Sequence, residues 1–337
     1  MRKPAVIMAL TLAALVASAC GGGDDAPTGN VIAFQSELVA DDGTSNFEVF
    51  LINADGSGLK QLTDDPGFDG SPSWSPDGTK FLFSSSRGEG DIWTMNADGS
   101  NQREIADGGS HFWSPDGDRF VFLGTIPGCT GPFGIGISVV NLDGSNQTSV
   151  ACGGQLGRPI WSPDGSRIAY SGSDPTGLWV VNEDGTNPTR ISQATLNPPV
   201  WSPDSTQLAF GVGTISVVDA DGSNLTLLAD ESSHPAWSPD GRRIAFSSVR
   251  SGVTKDLYVM DSDGSNQTAL THYDAEPEPE LRFINEISWS PKGEKIAFSM
   301  QLGGDQEIYV INADGSGLTQ LTDNPGIDEA PAWSPLP

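Results

Sequence analysis

The side chains best suited to chemistry in this sequence are three histidines and the carboxylates near them. Imidazoles and carboxylates act as metal ligands and as general acids and bases, so their placement is the first question. The longest stretch between repeated motifs, from His272 to Asn285, carries four carboxylates between prolines. The candidate residues are His111, His234, His272, Asp69, Asp274, Glu276, Glu278 and Asp328. Whether they form one face depends on the elements that position them.

Two interleaved repeats run along the chain. Trp-Ser-Pro occurs seven times, and an Asx-x-Asp-Gly turn also occurs seven times, from Asn53 to Asn312. Short apolar runs bounded by Gly, Pro, Asn and Asp flank both motifs, which is typical of strands joined by tight turns. The tripeptides begin at Trp74, Trp113, Trp161, Trp201, Trp237, Trp289 and Trp333. A period of about 40–45 residues is that of a four-stranded propeller blade.

The repeats predict an all-β fold, a seven-bladed β-propeller of four-stranded antiparallel blades over residues 31–337. No Trp-Ser-Pro strand precedes the first apolar run at Val31, and no strand follows Trp333. We therefore expect the C-terminal strand to join the first blade and close the ring, which removes an exposed edge. Two internal turns depart from the pattern, because Ser205 stands where Gly is expected and Lys292 replaces the Asp. Ser205 must adopt a left-handed backbone or shift the turn.

These paired motifs resemble the TolB-like, WD-repeat-like propeller family, and the resemblance covers nearly everything after residue 30. It implies a propeller that binds ligands on its loop face, around the mouth of the central channel. The histidines and carboxylates fall in the connections between blades, on that face. A site with three histidines would suit a metal-dependent polysaccharide lyase or hydrolase. Ordinary solvated loop side chains would suit a binding surface.

We expect the binding module, with no metal and no cofactor, and keep the lyase or hydrolase as the alternative. His111 lies two residues before its Trp and His234 lies three before, so the two side chains need not point alike. No phosphate-binding loop, Cys nucleophile with a base, or carboxylate pair of defined spacing is present in the sequence. Fold alone implies no chemistry.

The first thirty residues predict export. Arg2 and Lys3 precede an apolar stretch too short to span a bilayer comfortably, as in a signal peptide. Ala17-Ser18-Ala19-Cys20 resembles a lipobox, which implies a signal over residues 1–19, lipidation of Cys20 and a flexible tether over residues 20–30. Ordinary secretory cleavage after Ala19 is the alternative. The expected location is a bacterial membrane, on its periplasmic or cell-surface side.

The amino-acid composition limits the classes of partner that the protein can bind. The formal charge is −27, and an acidic surface repels nucleic acid and anionic headgroups. We expect a monomer that engages an envelope protein, peptide or glycan, and that reaches the membrane through its lipid.

The two remaining cysteines, Cys129 and Cys152, fall in connections at the same end of the third predicted blade. An oxidising compartment favours a disulfide between them. A zinc site is less favoured, since no His or second Cys pair accompanies them.

Overall fold

A computed structural model describes residues 30–40, 42–88, 91–126, 128–129, 134–173, 175–193, 199–249, 255–272, 282–302 and 305–336. These residues form 27 β-strands arranged in six antiparallel sheets. No helix within them is long and apolar enough to cross a membrane. The predicted signal peptide, Cys20 and most of the tether lie outside the described residues.

Five of the sheets have four strands each, ordered from the centre of the propeller outward. The first combines both ends of the described chain: β27 (Asp328–Trp333), β1 (Val31–Val39), β2 (Ser45–Asn53) and β3 (Lys60–Gln61). The second contains β4 (Asp69–Trp74), β5 (Lys80–Ser85), β6 (Asp91–Asn96) and β7 (Arg103–Asp107). The third contains β8 (Gly109–Trp113), β9 (Arg119–Thr125), β10 (Ile135–Asn141) and β11 (Thr148–Cys152).

The other two follow the same plan. One contains β12 (Ile160–Trp161), β13 (Arg167–Ser173), β14 (Thr176–Asn182) and β15 (Thr189–Ser192). The last contains β23 (Arg282–Trp289), β24 (Lys295–Leu302), β25 (Asp305–Asn312) and β26 (Thr319–Gln320).

The prediction of seven four-stranded blades is wrong, because only five sheets have four strands. Residues 200–269 form one seven-stranded sheet, whose strands are β16 (Val200–Trp201), β17 (Gln207–Phe210), β18 (Val212–Asp219), β19 (Thr226–Trp237), β20 (Arg243–Ser248), β21 (Asp256–Asp261) and β22 (Thr268–Ala269). Its middle strand β19 has twelve residues. Ser232 and Ser233 pair with β18 on one side and with β20 on the other. The connection predicted between two blades is therefore itself paired strand, which joins them into one sheet.

The C-terminal strand does pair with the first one, as predicted. β27 lies antiparallel to β1, with Trp333 opposite Ile32 and Asp328 opposite Ser36. The amide of Ser334 donates to the carbonyl of Val31 at 2.8 Å. Because the chain passes from β26 of the last sheet into β27 of the first, this pairing closes the ring and covers the inner edge of β1.

The hydrophobic core lies between neighbouring sheets. Ala33 and Leu51 of the first sheet pack in one buried cluster with Trp74, Phe81 and Met95 of the second. Burial on both faces explains why these strands are apolar runs with little alternation. The sheets are thereby held at fixed positions around the axis.

The turn at Ser205 keeps the shape of its glycine-containing counterparts. Ser205 has φ 62°, so it tolerates the left-handed backbone. Its Oγ accepts a hydrogen bond from the amide of Asp164 at 2.9 Å. That contact to the neighbouring turn offsets part of the conformational cost.

Candidate functional site

The innermost strands surround a central cavity. Its volume is about 490 Å³, and it is lined by residues from five of the six sheets and by Arg158, which lies just before β12. The side chains and backbone that give it chemical character belong to Ser71, Phe112, Arg158, His234, Glu286 and Ala330. A concave site with a few convergent polar groups is the usual form of a ligand site.

One sequence position recurs in this lining: Ser71, Arg158, His234, Glu286 and Ala330 each stand three residues before a repeated Trp. Five residues at this position have a left-handed backbone, and they are Ser71 (φ 53°), Ser110 (43°), His234 (56°), Glu286 (44°) and Ala330 (57°). The strand register shifts at or within two residues of each of them. A bulge re-aims a side chain, and strained non-glycine residues cluster at functional sites. The bulges thus form the wall of the cavity.

Arg158 stands at the same offset and brings a positive charge into the cavity. Its guanidinium carbon lies 5.1 Å from the centre of the Phe112 ring, a cation–π contact. The side chain is enclosed by protein yet faces the solvent of the cavity. Burial lowers the pKa of Arg158, while the Glu286 carboxylate opposes that shift. Within the described residues no carboxylate lies at salt-bridge distance from it.

Glu286 carries the opposite charge and ties two sheets together. Its Oε2 accepts hydrogen bonds from the amide of Ala330 at 2.5 Å and from the Ser299 hydroxyl at 3.3 Å. The adjacent Glu329 accepts a hydrogen bond from the Gln35 amide group at 2.7 Å. Burial raises the pKa of Glu329, and the charge of Glu286 raises it further. The cavity therefore has an acidic side opposite its single arginine.

His234 is half-buried in the wall of the cavity. Its Nδ1 lies 3.0 Å from the Ser233 hydroxyl, which also accepts a hydrogen bond from the Lys255 ammonium at 3.3 Å. Burial, together with the positive charge of Lys255, lowers the pKa of His234 to about 4. The imidazole is neutral at neutral pH, when it can donate one hydrogen bond and accept another.

The structure separates most of the predicted site residues. His111 lies in β8 and is buried between sheets, where burial lowers its pKa to about 4. Asp69 and Asp328 are fully buried, and His272 is exposed after β22. Asp274, Glu276 and Glu278 lie outside the described residues. Of the candidates with a described position, His234 alone lines the cavity.

Two further observations concern metal ligation and the cysteines. In the part of the chain that the structure describes, no group of three His, Cys, Asp or Glu side chains could hold a metal ion. Cys129 and Cys152 are joined by a disulfide, which ties the segment after β9 to the end of β11.

Sequence reasoning missed Arg158, Phe112 and Glu286. A signal was available for Arg158 and Glu286, because the residue three before each Trp changes chemically from repeat to repeat while the flanking motif stays constant. The sequence interpretation selected the histidines for their residue type and not for their position in the repeat. His111 lies two residues before its Trp, whereas His234 lies three before.

A closed ring of sheets with a charged cavity at its axis defines a β-propeller. The sequence matches the family described as the TolB beta propeller domain over residues 18–205 and 135–283. The chain therefore belongs to the TolB β-propeller domain family.

Relatives of known name agree with this assignment. The chain is 30% identical over 128 residues to the "Tol-Pal system protein TolB" of Anaeromyxobacter dehalogenans. The match spans 36% of this chain and 27% of that relative's length. It thus covers about a quarter of the relative.

Solved structures show the same fold at low identity. TolB from Acinetobacter baumannii is 18% identical with a TM-score of 0.57, and the match covers 90% of this chain and 66% of that one. An oligogalacturonate lyase from Vibrio parahaemolyticus is 16% identical with a TM-score of 0.61, covering 83% and 90% of the two chains. A puromycin-hydrolyzing peptidase of Mycobacterium tuberculosis is 17% identical with a TM-score of 0.66, covering 88% and 52%.

Proposed function

We propose that this protein is a lipid-anchored binding module of the bacterial cell envelope. Its central cavity would receive a segment of an envelope protein, a peptide or a glycan. The observation that carries the proposal is the guanidinium of Arg158, which lies over Phe112 in a cavity that Glu286 also lines and which makes no salt bridge with any residue that the structure describes. Such a site offers an aromatic face, a cation and an anion together, which suits a ligand with mixed polar and apolar groups.

The backbone of the cavity supports a binding role. Strained bulges cost about 1–3 kcal/mol each and persist where the surrounding structure fixes them. Here they fix His234 and Glu286 in the wall before any ligand arrives, so little ordering is needed on binding. The family's link to the Tol-Pal system supports an envelope partner.

The test is capture of the partner from intact envelopes by crosslinking, comparing Arg158→Ala with Arg242→Ala. Arg242 is an exposed arginine in the turn before β20. Its substitution changes the net charge equally and leaves the cavity untouched. We expect capture to fall about tenfold or more for Arg158→Ala, in line with the loss of a centrally buried arginine contact. Equal capture by both variants would refute the cavity as the binding site.

A second contact is proposed at the carboxylates Asp274, Glu276, Glu278 and Glu280. Replacing them with Asn or Gln should weaken capture and reduce its dependence on salt, if the partner is basic there. Capture that is indifferent to both changes would leave the cavity as the proposed contact.

The anchor is tested separately. Cys20→Ser should release the protein into the aqueous fraction or block its processing. Unchanged processing and membrane fractionation of this variant would show that Cys20 is not lipidated.

A further inference from the structure

Two junctions between neighbouring sheets are built from the same sequence positions. They differ at two charged residues, because Arg87 and Asp65 of the first stand where the second has Leu38 and Asn324. Each has a carboxylate on the third strand of one sheet, a threonine after its fourth strand, and an aspartate that begins the next inner strand. We call them the Arg87 junction and the closing junction. Their matching residues are Glu48, Thr63 and Asp69 in the first, and Glu307, Thr322 and Asp328 in the second.

The two threonines have the same role. The amide of Val49 donates to the Thr63 hydroxyl at 2.8 Å, and the amide of Ile308 donates to the Thr322 hydroxyl at 2.9 Å. In the closing junction Thr322 in turn donates to Glu307 Oε2 at 2.6 Å. The local backbone is therefore the same, and the junctions can be compared residue by residue.

In the Arg87 junction a cation pairs with two aspartates, while burial still raises the pKa of Glu48. The guanidinium of Arg87 donates to Asp69 Oδ2, and its Nε lies 3.7 Å from Asp65. The guanidinium carbon also lies 5.0 Å from the centre of the Trp93 ring. A buried aspartate is tolerated there because it is paired.

The closing junction has a leucine where Arg87 would be. Asp69 pairs with Ser85 across β4 and β5, and Asp328 pairs with Ser36 across β27 and β1. Arg87 lies two residues after Ser85, and Leu38 lies two residues after Ser36. Leu38 is 39% exposed, so this position lies at the open edge of the junction.

Without that cation, two acids are buried against each other. Asp328 is 0% exposed and Glu307 is 7% exposed. The Asn324 side chain donates to Asp328 Oδ1 at 3.3 Å, whereas Oδ2 has no hydrogen-bond partner among the described residues. Burial, together with the charges of Asp328 and Asp323, raises the pKa of Glu307 to about 7. Burial also raises the pKa of Asp328.

We propose that a proton shared by Glu307 and Asp328 supplies the positive charge that Arg87 supplies in the matching junction, so that ring closure depends on protonation. The protonated Glu307 carboxyl donates its hydrogen to the Asp328 carboxylate. Loss of this proton leaves two buried negative charges facing each other where β25 contacts β27. The groups facing this pair include Asp323, Ser36, Thr322 and Asn324, and none of them carries a positive charge.

The consequence reaches the cavity through β27. Asp328 begins this strand, and the amide of Ala330, two residues further on, donates to Glu286 in the cavity wall. Loosening the start of β27 therefore disturbs both the closure of the ring and the wall of the site. This link to ligand binding rests on the proposed function, whereas the proton dependence of closure does not.

The sign of the pH dependence follows from the raised pKa. A carboxyl group with a raised pKa in the folded state stabilises the fold below its unfolded value of 4.5, and this contribution is lost as the pH rises through about 7. His111 and His234 act in the opposite direction, because their lowered pKa values favour the folded state as the pH rises toward 6.5. The test must therefore compare variants at each pH.

The experiment measures opening of β27 by hydrogen exchange on the full-length protein, at about pH 5 and about pH 7.5. Amides of β13 and β14 serve as the internal reference. Leu38→Arg places the cation of the Arg87 junction in the closing junction. Val39→Arg is the matched control, since it adds the same charge at the next, exposed residue. Glu307→Gln mimics the protonated acid at every pH.

We expect the β27 opening of the wild type to rise by about tenfold or more between the two pH values, relative to Glu307→Gln. Leu38→Arg should flatten the profile, and Val39→Arg should follow the wild type. Identical profiles for the wild type and Glu307→Gln would overturn the proposal. So would a wild type whose β27 is protected at the higher pH by added CaCl₂, because a metal ion would then hold the pair.

Each variant is also tested for partner capture. A proton-dependent closure with unchanged capture would sustain the inference and count against the cavity as the binding site. Loss of capture in Arg158→Ala, together with a β27 opening that does not change with pH in the wild type, would support the cavity as the binding site and overturn the proton-dependent closure.

Discussion

The indole hydrogen bonds between sheets offer a sharp test of how the ring is held together. Trp333 Nε1 donates to the carbonyl of Ser288 in the neighbouring sheet at 3.1 Å. Trp201 is the matched control, because it occupies the same repeat position but its Nε1 is buried with no partner among the described residues. The two side chains are 6% and 7% exposed. Replacing each with Phe removes similar buried area and differs mainly in the hydrogen bond.

The magnitude follows from two contributions. Shortening a buried indole to a phenyl ring removes about 40 Å² of apolar contact, or about 1 kcal/mol. Loss of the hydrogen bond costs Trp333→Phe about 1 kcal/mol more. Trp201→Phe loses the same area and part of the stacking of Arg167, whose guanidinium lies 5.1 Å from the ring, but it removes an unsatisfied donor. We expect losses of about 2 kcal/mol for Trp333→Phe and under about 1 kcal/mol for Trp201→Phe.

The assay is thermal unfolding by calorimetry, with urea unfolding as a second measure. At about 2–4 °C per kcal/mol, Trp333→Phe should lower the Tm by roughly 4–8 °C. Equal shifts in the two variants would refute the reasoning, because the indole bond between sheets would then contribute nothing. A larger loss for Trp201→Phe would show that its stacked arginine matters more than the bond of Trp333.

Three smaller predictions concern a turn, the disulfide and a histidine. Ser205→Ala should cost about 1 kcal/mol in urea unfolding, because it loses the Asp164 bond and keeps the left-handed strain, whereas Ser205→Gly should be nearly neutral, and the reverse order would contradict this. Replacing Cys129 and Cys152 with Ala should cost about 3 kcal/mol for a loop closed at a sequence separation of 23, and an unchanged melting temperature would oppose this. His234→Gln should reduce the loss of stability as the pH falls from 6.5 to about 4. Metal analysis of the same variant tests the lyase or hydrolase interpretation, which predicts that the wild type binds a metal and the variant does not.

The sequence was sufficient for the strands and turns because their chemistry is local. Pro-Asp-Gly and Asx-x-Asp-Gly fix hairpins through a few backbone angles, and apolar runs fix what lies between them. The pairing of Trp333 with Ile32 also followed, since each end lacked what the other supplied. Where only one strand can complete a sheet, local pattern determines the distant contact.

The seven-stranded sheet and the central cavity could not be predicted from local sequence patterns in the same way. β19 is continuous because Ser232 and Ser233 pair on both sides, and two-sided pairing depends on the spacing of two neighbouring strands. The repeat count treats the same segment as a connection. The prediction that His111 lies on the loop face was wrong for a related reason. A shift of one residue in a strand turns the side chain to the other face of the sheet, and here it places His111 between two sheets.

The residue three before each Trp explains how one scaffold can change its ligand. The Trp itself is fixed by packing, as Trp289 and Trp333 show by donating to carbonyls of the preceding sheet at 3.0 and 3.1 Å. The bulge before it holds its side chain at the axis whatever that side chain is, and it accepts serine, histidine, glutamate and alanine here. Substitution at this position therefore alters the charge and shape of the cavity with little effect on the sheets. Exchanging Arg158 for the serine found at Ser71 should abolish an anion contact and leave folding intact, which separates the chemistry of this site from the stability of its frame.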